Sequence, residues 1–178
     1  GRRGGTIGEL GTGCGKAALY AAETIREIEA PTPVTRYYTF DAYPEGSEEV
    51  WNNTHGVGSA VEARRIAERA LGPYRDIVEA TVVDSVKAAR TWTHGPVDLL
   101  FVDDLHDPDH LRSVLRRWGP HVPTLGIVPF NDWAHGPYEI MPEVVRWCRG
   151  DNRLWIPMVD GPILSFQNAG TRGARCVW

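Results

Sequence analysis

A glycine-rich segment near the start of the chain has the residue types and spacing of a ligand-binding loop. Residues Glu9–Gly15 read E-L-G-T-G-C-G and stand between a short apolar run and a helix-forming run. Glycine lets the backbone turn tightly and approach a ligand without a Cβ in the way. The helix that follows offers free N–H groups and a partial positive charge at its start. The segment therefore predicts a cofactor loop, with a glycine-rich turn that binds nothing as the alternative.

Two common nucleotide-binding loops fit this segment less well. A phosphate-binding P-loop needs G-x-x-x-x-G-K-[ST], whereas Gly11 and Gly15 are one residue too close and Ala17 replaces the hydroxyl residue that binds magnesium. A dinucleotide-binding loop needs G-x-G-x-x-G, and the third glycine here comes one position early. A nucleotide-dependent oxidoreductase on a Rossmann-like scaffold nevertheless stays open as an alternative.

Polar side chains also stand directly after the later strands of the predicted fold. In an open parallel sheet, ligands bind beyond the carboxyl ends of the strands. We therefore expect these side chains and the glycine loop to line one cleft. The residues at the strand ends are Asp41, Asp84, Ser85, Asp103, Asn131 and Asp132.

The elements that would position these residues alternate between strand and helix. Such alternation indicates βαβ units, and Asp160-Gly161 indicates a terminal hairpin. The fold class is therefore predicted as α/β: a Rossmann-like, doubly wound, mostly parallel sheet with a C-terminal antiparallel hairpin. The predicted strands are Thr6–Leu10, Thr35–Phe40, Ile77–Val83, Val97–Val102, Gly126–Phe130, Leu154–Val159 and Pro162–Gln167. The predicted helices are Lys16–Glu29, Ser59–Leu71, Asp84–Trp92, Asp107–Trp118 and Tyr138–Cys148, with a polar loop at Tyr43–Gly58.

Composition and charge limit the classes of function. The 178 residues carry a net charge of −4, with 42% hydrophobic and 24% charged residues, which is typical of a single soluble domain over residues 1–178. Nothing in this balance favours nucleic-acid binding, and no apolar run reaches the ~18 residues of a membrane span. Three cysteines without a CxxC pair predict neither disulfides nor a thiolate zinc site. The expected location is the cytoplasm.

The glycine loop, written as E-x-G-x-G-x-G after a first strand, resembles motif I of class I S-adenosylmethionine (SAM) dependent methyltransferases. The resemblance implies that the glycines contact the methionine part of SAM and that the acid fixes the loop and the ammonium end of the cofactor. It also implies that Asp41 accepts hydrogen bonds from the ribose hydroxyls and that the adenine lies at the end of the third strand. The implied cofactor-binding residues are Glu9, Gly11, Thr12, Gly13, Gly15, Asp41, Asp84, Ser85 and Asp103.

A second stretch, D-L-L-F-V-D-D-L-H at residues 98–106, resembles the small bacterial methyltransferase family that includes macrocin-type O-methyltransferases. The pattern of that family is a strand ending F-[IV]-D-x-x-H, a helix, and a strand ending in an acidic tip. The resemblance extends from about Ile7 to Trp147. The chain departs from the pattern where Asp104 replaces the usual glycine, where P-T-L-G at residues 123–126 replaces P-G-G, and where Pro129 lies inside a central strand.

The acidic strand tips predict how catalysis would occur. Asp103 and Asp132 should point into one cleft, where Asn131 adds a neutral oxygen, and Mg²⁺ or another divalent cation prefers such oxygen ligands. In the resembled family, a metal ion held in this way lowers the pKa of the acceptor hydroxyl. His106, which matches the histidine of the family pattern, and His135 are the candidate general bases, and together with Asp103 they are the expected catalytic residues. The alternative is that Asp103 caps a helix and Asp132 is an acid of a surface loop.

Together these features predict a SAM-dependent methyltransferase, with O-methylation of a small molecule in bacterial secondary metabolism as the expected activity. Neither a nucleic acid nor a membrane is an expected partner. A non-catalytic SAM-fold binding protein stays an alternative, because related enzymes often cover the cofactor cleft with N-terminal helices and this chain enters its first strand almost at once. A homodimer partner could supply that cover.

Overall fold

A seven-stranded sheet with helices packed on it forms the framework of the protein. The computed structural model describes residues 4–32, 34–46, 48–105, 107–131, 140–151, 153–160 and 163–171. The strands are β1 Thr6–Leu10, β2 Arg36–Asp41, β3 Val78–Val82, β4 Leu99–Val102, β5 Ile127–Phe130, β6 Arg153–Asp160 and β7 Ile163–Thr171. The helices are α1 Lys16–Ile28, α2 Glu48–His55, α3 Ala60–Leu71, α4 Ser85–Thr91, α5 Pro108–Trp118 and α6 Ile140–Gly150. No helix in these described ranges is long and apolar enough to cross a membrane.

The order of the strands confirms the predicted fold class. The sheet runs β3-β2-β1-β4-β5-β7-β6, and β1 to β5 pair in parallel. Strand β7 lies antiparallel between β5 and β6, so the C-terminal hairpin adds one strand of reversed direction, as predicted. The first strand is central, because β2 pairs on one side of it and β4 on the other. The chain order therefore reverses at β1, and this is where α/β sheets open a ligand cleft.

The segment predicted as a polar loop at Tyr43–Gly58 contains a helix, α2, and this prediction was wrong in that respect. Its sequence is mostly polar and contains turn-forming residues, so the residue pattern did not indicate a helix. The helix is held by a small cluster of its own, in which Trp51 is 7% exposed and packs with Val57 and the first residues of α3. A single buried tryptophan supplies most of the apolar area that this short helix needs.

Trp118, the last residue of α5, fixes two helices over the end of β2. Its side chain is completely buried, with the ring centroid 5.5 Å from that of Phe40 and 5.3 Å from that of Trp92. The indole Nε1 donates a hydrogen bond to the carbonyl oxygen of Ser85, 2.8 Å away. A buried tryptophan with a satisfied N–H has one orientation. The first residue of α4 is thereby attached to the core.

The central strand β5 contains a proline, as its sequence shows. On the side of β5 that faces β4, the amides of Ile127 and Asn131 donate to the carbonyls of Asp98 and Val102 respectively. Pro129 stands midway between these donors and has no N–H to give, so one hydrogen bond of the ladder is lost. The strand still pairs on both sides: β4 lies parallel on one side and β7 antiparallel on the other, with Pro129 opposite Ser165.

Candidate functional site

The carboxyl ends of three adjacent strands meet at the glycine loop. The amide of Gly11 donates to the carbonyl of Phe40 on β2, and the amide of Asp103 donates to the carbonyl of Leu10 on β1, each at 2.8 Å. The loop is therefore held from both sides at the point where β1 ends. The sequence predicted this convergence from the position of the polar residues, and the structure places the described ones at this edge.

Three glycines of the loop adopt backbone conformations that other residues rarely take. The φ angles of Gly11, Gly13 and Gly15 are +96°, +52° and +81°. A Cβ on Gly11 would lie 2.2 Å from the carbonyl oxygen of Asp103, and a Cβ on Gly15 would lie 3.2 Å from the Cα of Ala67. The tight turn itself therefore requires these glycines. They let the loop pass close to the backbone of Asp103 and Ala67, where a side chain would not fit.

Asp41 ties the end of β2 to the glycine loop. Its carboxylate accepts hydrogen bonds from the amide of Gly13 at 2.9 Å and from the amide of Tyr43 at 2.8 Å. Burial raises the pKa of the Asp41 carboxyl, and these backbone hydrogen bonds oppose the rise. The negative charge of nearby Asp104 adds to the increase. The side chain predicted to accept the ribose hydroxyls is therefore the one that orders the loop beside it.

Glu9 lies beneath the loop in the interior, with 1% of its surface exposed. Its Oε2 accepts a hydrogen bond from the hydroxyl of Thr39 at 2.6 Å, and the hydroxyls of Thr39 and Thr12 are also 2.6 Å apart. Burial, aided by the charges of Asp103 and Asp41, raises the pKa of the Glu9 carboxyl to about 8. This arrangement fits the expected role of fixing the loop, through a hydrogen-bonded chain from β1 to β2 to Thr12.

Three aromatic rings cover the glycine loop, and the sequence analysis did not identify them. The hydroxyl of Tyr43 donates to the carbonyl of Gly13 at 2.9 Å, and the Tyr43 ring is stacked on Trp51 with centroids 5.8 Å apart. The ring of His55 follows at 5.1 Å from Trp51 and lies 2.8 Å from the position that a Cβ on Gly13 would take. The available signal was the spacing of Trp51 and His55, which share one face of a helix four residues apart.

Asp84 and Ser85 begin α4 directly after the third strand. The Asp84 carboxylate accepts a hydrogen bond from the amide of Lys87 at 2.9 Å and caps the helix, as an acid after a strand often does. Ser85 is buried, and its hydroxyl donates to the carboxylate of Asp104 at 2.5 Å. The residues predicted to lie at the adenine thus form an ordered turn at the cleft edge.

Asp104 and His110 extend this turn into a cluster that the sequence analysis did not foresee. The Nε2 atom of His110 is 2.9 Å from Oδ2 of Asp104 and 3.1 Å from the hydroxyl of Ser85. The hydrogen bond and the charge of Asp104 raise the pKa of the His110 imidazole, against the opposing effect of burial. The replacement of the usual glycine by Asp104 was the one visible signal.

Asp103 and Asn131 are brought together as predicted, since the amide nitrogen of Asn131 donates to the carboxylate of Asp103 at 2.9 Å. The other predicted rim residues, His106, Asp132 and His135, lie outside the described residues. Within the described part of the chain, no group of three histidine, cysteine, aspartate or glutamate side chains could hold a metal ion. Because Asp132, one of its three predicted ligands, lies outside the described residues, the divalent-cation site stays a prediction.

A sequence model of the methyltransferase domain family matches residues 9–133, which is more than half of the chain and includes the whole cleft edge described above. The chain belongs to this family. The match favours a methyltransferase over the oxidoreductase alternative, and the fold is that of the class I SAM-dependent methyltransferases. A comparison with curated protein sequences returned no significant match.

Solved structures agree with this assignment at the level of the fold. A candidate rRNA methylase from Clostridium thermocellum has a TM-score of 0.67 at 14% identity, over 96% of this chain and 90% of that one. A candidate methyltransferase from Streptococcus mutans, in complex with S-adenosylhomocysteine (SAH), has a TM-score of 0.63 at 9% identity, over 93% and 89% of the two chains. A candidate caffeoyl-CoA O-methyltransferase from Staphylococcus aureus has a TM-score of 0.63 at 12% identity, over 93% and 76%. Two of these names give different substrate classes, rRNA and caffeoyl-CoA, so the fold leaves the acceptor open.

Substitution of Gly11 should be more damaging than substitution of another glycine with the same backbone handedness. Gly46 has φ +77° and open space where a Cβ would stand, so Gly46→Ala should cost only the left-handed strain of about 1–2 kcal/mol. Gly11→Ala also drives a methyl group into the backbone of Asp103, which should add about 1–3 kcal/mol. Urea unfolding of the two variants measures the difference. Equal losses of stability would show that the loop does not pack against the end of β4.

Glu9 should make the stability of the protein depend on pH. Because its pKa is raised from 4.5 to about 8 in the folded state, the folded protein holds a proton that the unfolded chain releases in this range. The stabilisation is complete below pH 4.5 and is lost as the pH rises to about 8. Glu9→Gln, which cannot ionise, should therefore lose less stability than the wild type over this interval.

Urea unfolding at a series of pH values measures this slope. Glu27→Gln on the exposed surface of α1 is the matched control, and its curve should follow the wild type. Parallel curves for the wild type and Glu9→Gln would contradict the proposed protonation of Glu9.

Proposed function

We propose that this protein transfers a methyl group from SAM to an oxygen atom of a small molecule. The observation that carries the proposal is the junction of Asp41 with the glycine loop, at the point of the sheet where the chain order reverses. The family assignment supplies the reaction class. The position of the cofactor and the nature of the acceptor are inferred from the residues that line this edge.

The described residues fit SAM at its ribose end. A carboxylate offers about four acceptor positions, and the amides of Gly13, Tyr43 and Thr12 occupy part of this capacity on Asp41. The partly exposed carboxylate can therefore also accept from a sugar hydroxyl. The loop from Gly11 to Gly15 would hold the methionine part with its backbone, and the turn at Asp84 and Ser85 would lie along the adenine.

When bound, SAM supplies an electrophilic methyl group on a sulfonium. The chain must then align the acceptor oxygen with that methyl group and remove its proton. Asp103, whose carboxylate is fixed by the amide of Asn131, would orient the acceptor hydroxyl. His106 and His135 keep their proposed roles as proton acceptors.

The charge of the cleft edge favours a small acceptor over a nucleic acid. The carboxyl groups of Asp41, Asp84, Asp103 and Asp104 lie at this edge, and the whole chain has a net charge of −4. Binding of a phosphate backbone requires lysine and arginine contacts that release counterions. Carboxylates crowded around the methyl donor would repel the backbone of an rRNA.

The proposal is tested by incubating the protein with methyl-labelled SAM and a panel of acceptors. Polyphenols and hydroxylated sugars should become labelled at oxygen, whereas rRNA should not. Asp41→Asn should weaken SAH binding by about tenfold or more, because the ribose loses a charged acceptor worth ~1.5–3 kcal/mol.

Asp76→Asn is the matched control, because Asp76 lies just before β3 at the opposite edge of the sheet and pairs with Arg26. It should leave both SAH affinity and transfer unchanged. Labelling of rRNA but not of small acceptors would overturn the acceptor class. Binding of NAD without binding of SAH would overturn the whole assignment.

A further inference from the structure

The cluster of Ser85, Asp104 and His110 connects the ends of two strands that are not neighbours in the sheet. Ser85 follows β3, Asp104 follows β4, and His110 lies in the first turns of α5. The three side chains contact one another pairwise at 2.5, 2.9 and 3.1 Å. The indole of Trp118 holds the carbonyl of Ser85 from the other side. Ser85 is therefore fixed by both its side chain and its backbone.

The geometry excludes a hydrolytic relay in this cluster. In a serine–histidine–aspartate triad, the two ring nitrogens of histidine serve two different partners. Here the same nitrogen, Nε2 of His110, lies near both Asp104 and Ser85. The hydroxyl of Ser85 is in addition directed at Asp104. The cluster is suited to holding Ser85 in place and not to activating it as a nucleophile.

Asp104 depends on His110 for the balance of its charge. Its Oδ2 accepts from both Ser85 and His110, while its Oδ1 is buried with no hydrogen-bond partner among the described residues. A buried carboxylate without a counter-charge is costly. When His110 is protonated, its imidazole supplies that charge, with Nε2 at 2.9 Å from Oδ2 of Asp104. Both side chains are largely buried, with 17% of His110 and 12% of Asp104 exposed.

The cluster also lies next to the glycine loop. A Cβ on Gly11 would lie 3.0 Å from the Cα of Asp104, so the backbone of Asp104 contacts the glycine loop. The charge of Asp104 acts on Asp41 as well, at the end of β2. The charged groups that act on His110 are Asp104 after β4, Asp84 at the start of α4 and Asp107 on its own helix.

We propose that Asp104 and His110 are positioning residues for the cofactor: the ion pair between them holds Ser85, and with it the turn that lies along the adenine, in the form that binds SAM. This inference rests on the proposed function. Protonated His110 keeps the cluster closed. When His110 loses its proton, the buried Asp104 carboxylate loses its counter-charge, and the Ser85 turn loses its support.

The raised pKa of His110 determines how SAH binding should depend on pH. Because folding favours the protonated imidazole, the stabilisation that this imidazole gives the cluster is lost as the pH rises through its pKa. The affinity for SAH should therefore fall as the pH rises above the ordinary histidine value of 6.5. Because other groups of the site also titrate, the informative quantity is the difference between the wild type and a variant of His110.

The test measures SAH dissociation constants from ~pH 6 to ~pH 9 for the wild type and for His110→Gln. Glutamine can donate one hydrogen bond to Asp104 but carries no charge. At the low end of the range, the wild type should bind SAH about five- to tenfold more tightly than His110→Gln, as expected for a charge-assisted hydrogen bond. The two curves should converge at the high end. His94→Gln, at an exposed histidine between α4 and β4, is the control and should follow the wild type throughout.

A second measurement needs no variant. If SAH binds the protonated form more tightly, then binding must raise the pKa of His110 in return. Proton NMR of the His110 ring, with and without saturating SAH, measures this shift directly. Parallel pH curves for the wild type and His110→Gln, or an unchanged His110 pKa on binding, would overturn the inference. Failure of the wild type to bind SAH at any pH would instead overturn the proposed function.

Discussion

The hydrogen bond from the amide of Gly13 to the carboxylate of Asp41 is the interaction on which the cleft depends. It fixes the glycine loop to the end of β2, while the amide of Asp103, directly after β4, donates to the carbonyl of Leu10 at the end of β1. The same loop leads into α1, and Gly15, in a left-handed conformation, is the N-cap of that helix. The glycine loop thus fixes the relative positions of these strand ends and of α1. A ligand bound over the loop would therefore contact the junction of all of these elements.

This arrangement brings several carboxyl groups together at one edge of the sheet. Each of them is stabilised there by a different interaction. Glu9 is neutralised by burial, which raises its pKa to about 8. Asp41 is solvated by backbone amides, Asp84 caps a helix, and Asp104 is paired with His110. An acidic, preorganised edge of this kind suits a cationic cofactor and a neutral acceptor better than a polyanion.

The sequence was sufficient to predict the features that local residue patterns determine. β1 was predicted with its observed bounds. The helices predicted to begin at Ser59, Asp84 and Asp107 each begin one residue later, with those residues as their N-caps. The glycine loop could be located because left-handed turns require glycine. Helix α2 could not, because a mostly polar segment becomes helical only when Trp51 finds its tertiary partners.

The cluster at Ser85 shows a second limit of sequence analysis. Ser85 and Asp104 are 19 residues apart and follow different strands, and no periodic pattern joins them. His110 stands in a helix, where a partly buried histidine is usually a packing residue. Only the crossing of α4 and α5 over the sheet brings the three side chains together. The departure at Asp104 marked the position as unusual but did not identify its partners.

The central claim is that the loop, Asp41 and the Ser85 turn form one cofactor site. The most direct measurement is a titration of nitrogen-15-labelled protein with SAH, followed by amide NMR. We expect the largest shifts at Gly11–Gly15, at Asp41–Tyr43 and at Asp84–Ser85. Shifts confined to a different surface, such as the groove between α5 and α6 lined by Arg116 and Arg146, or no shifts at all, would contradict it.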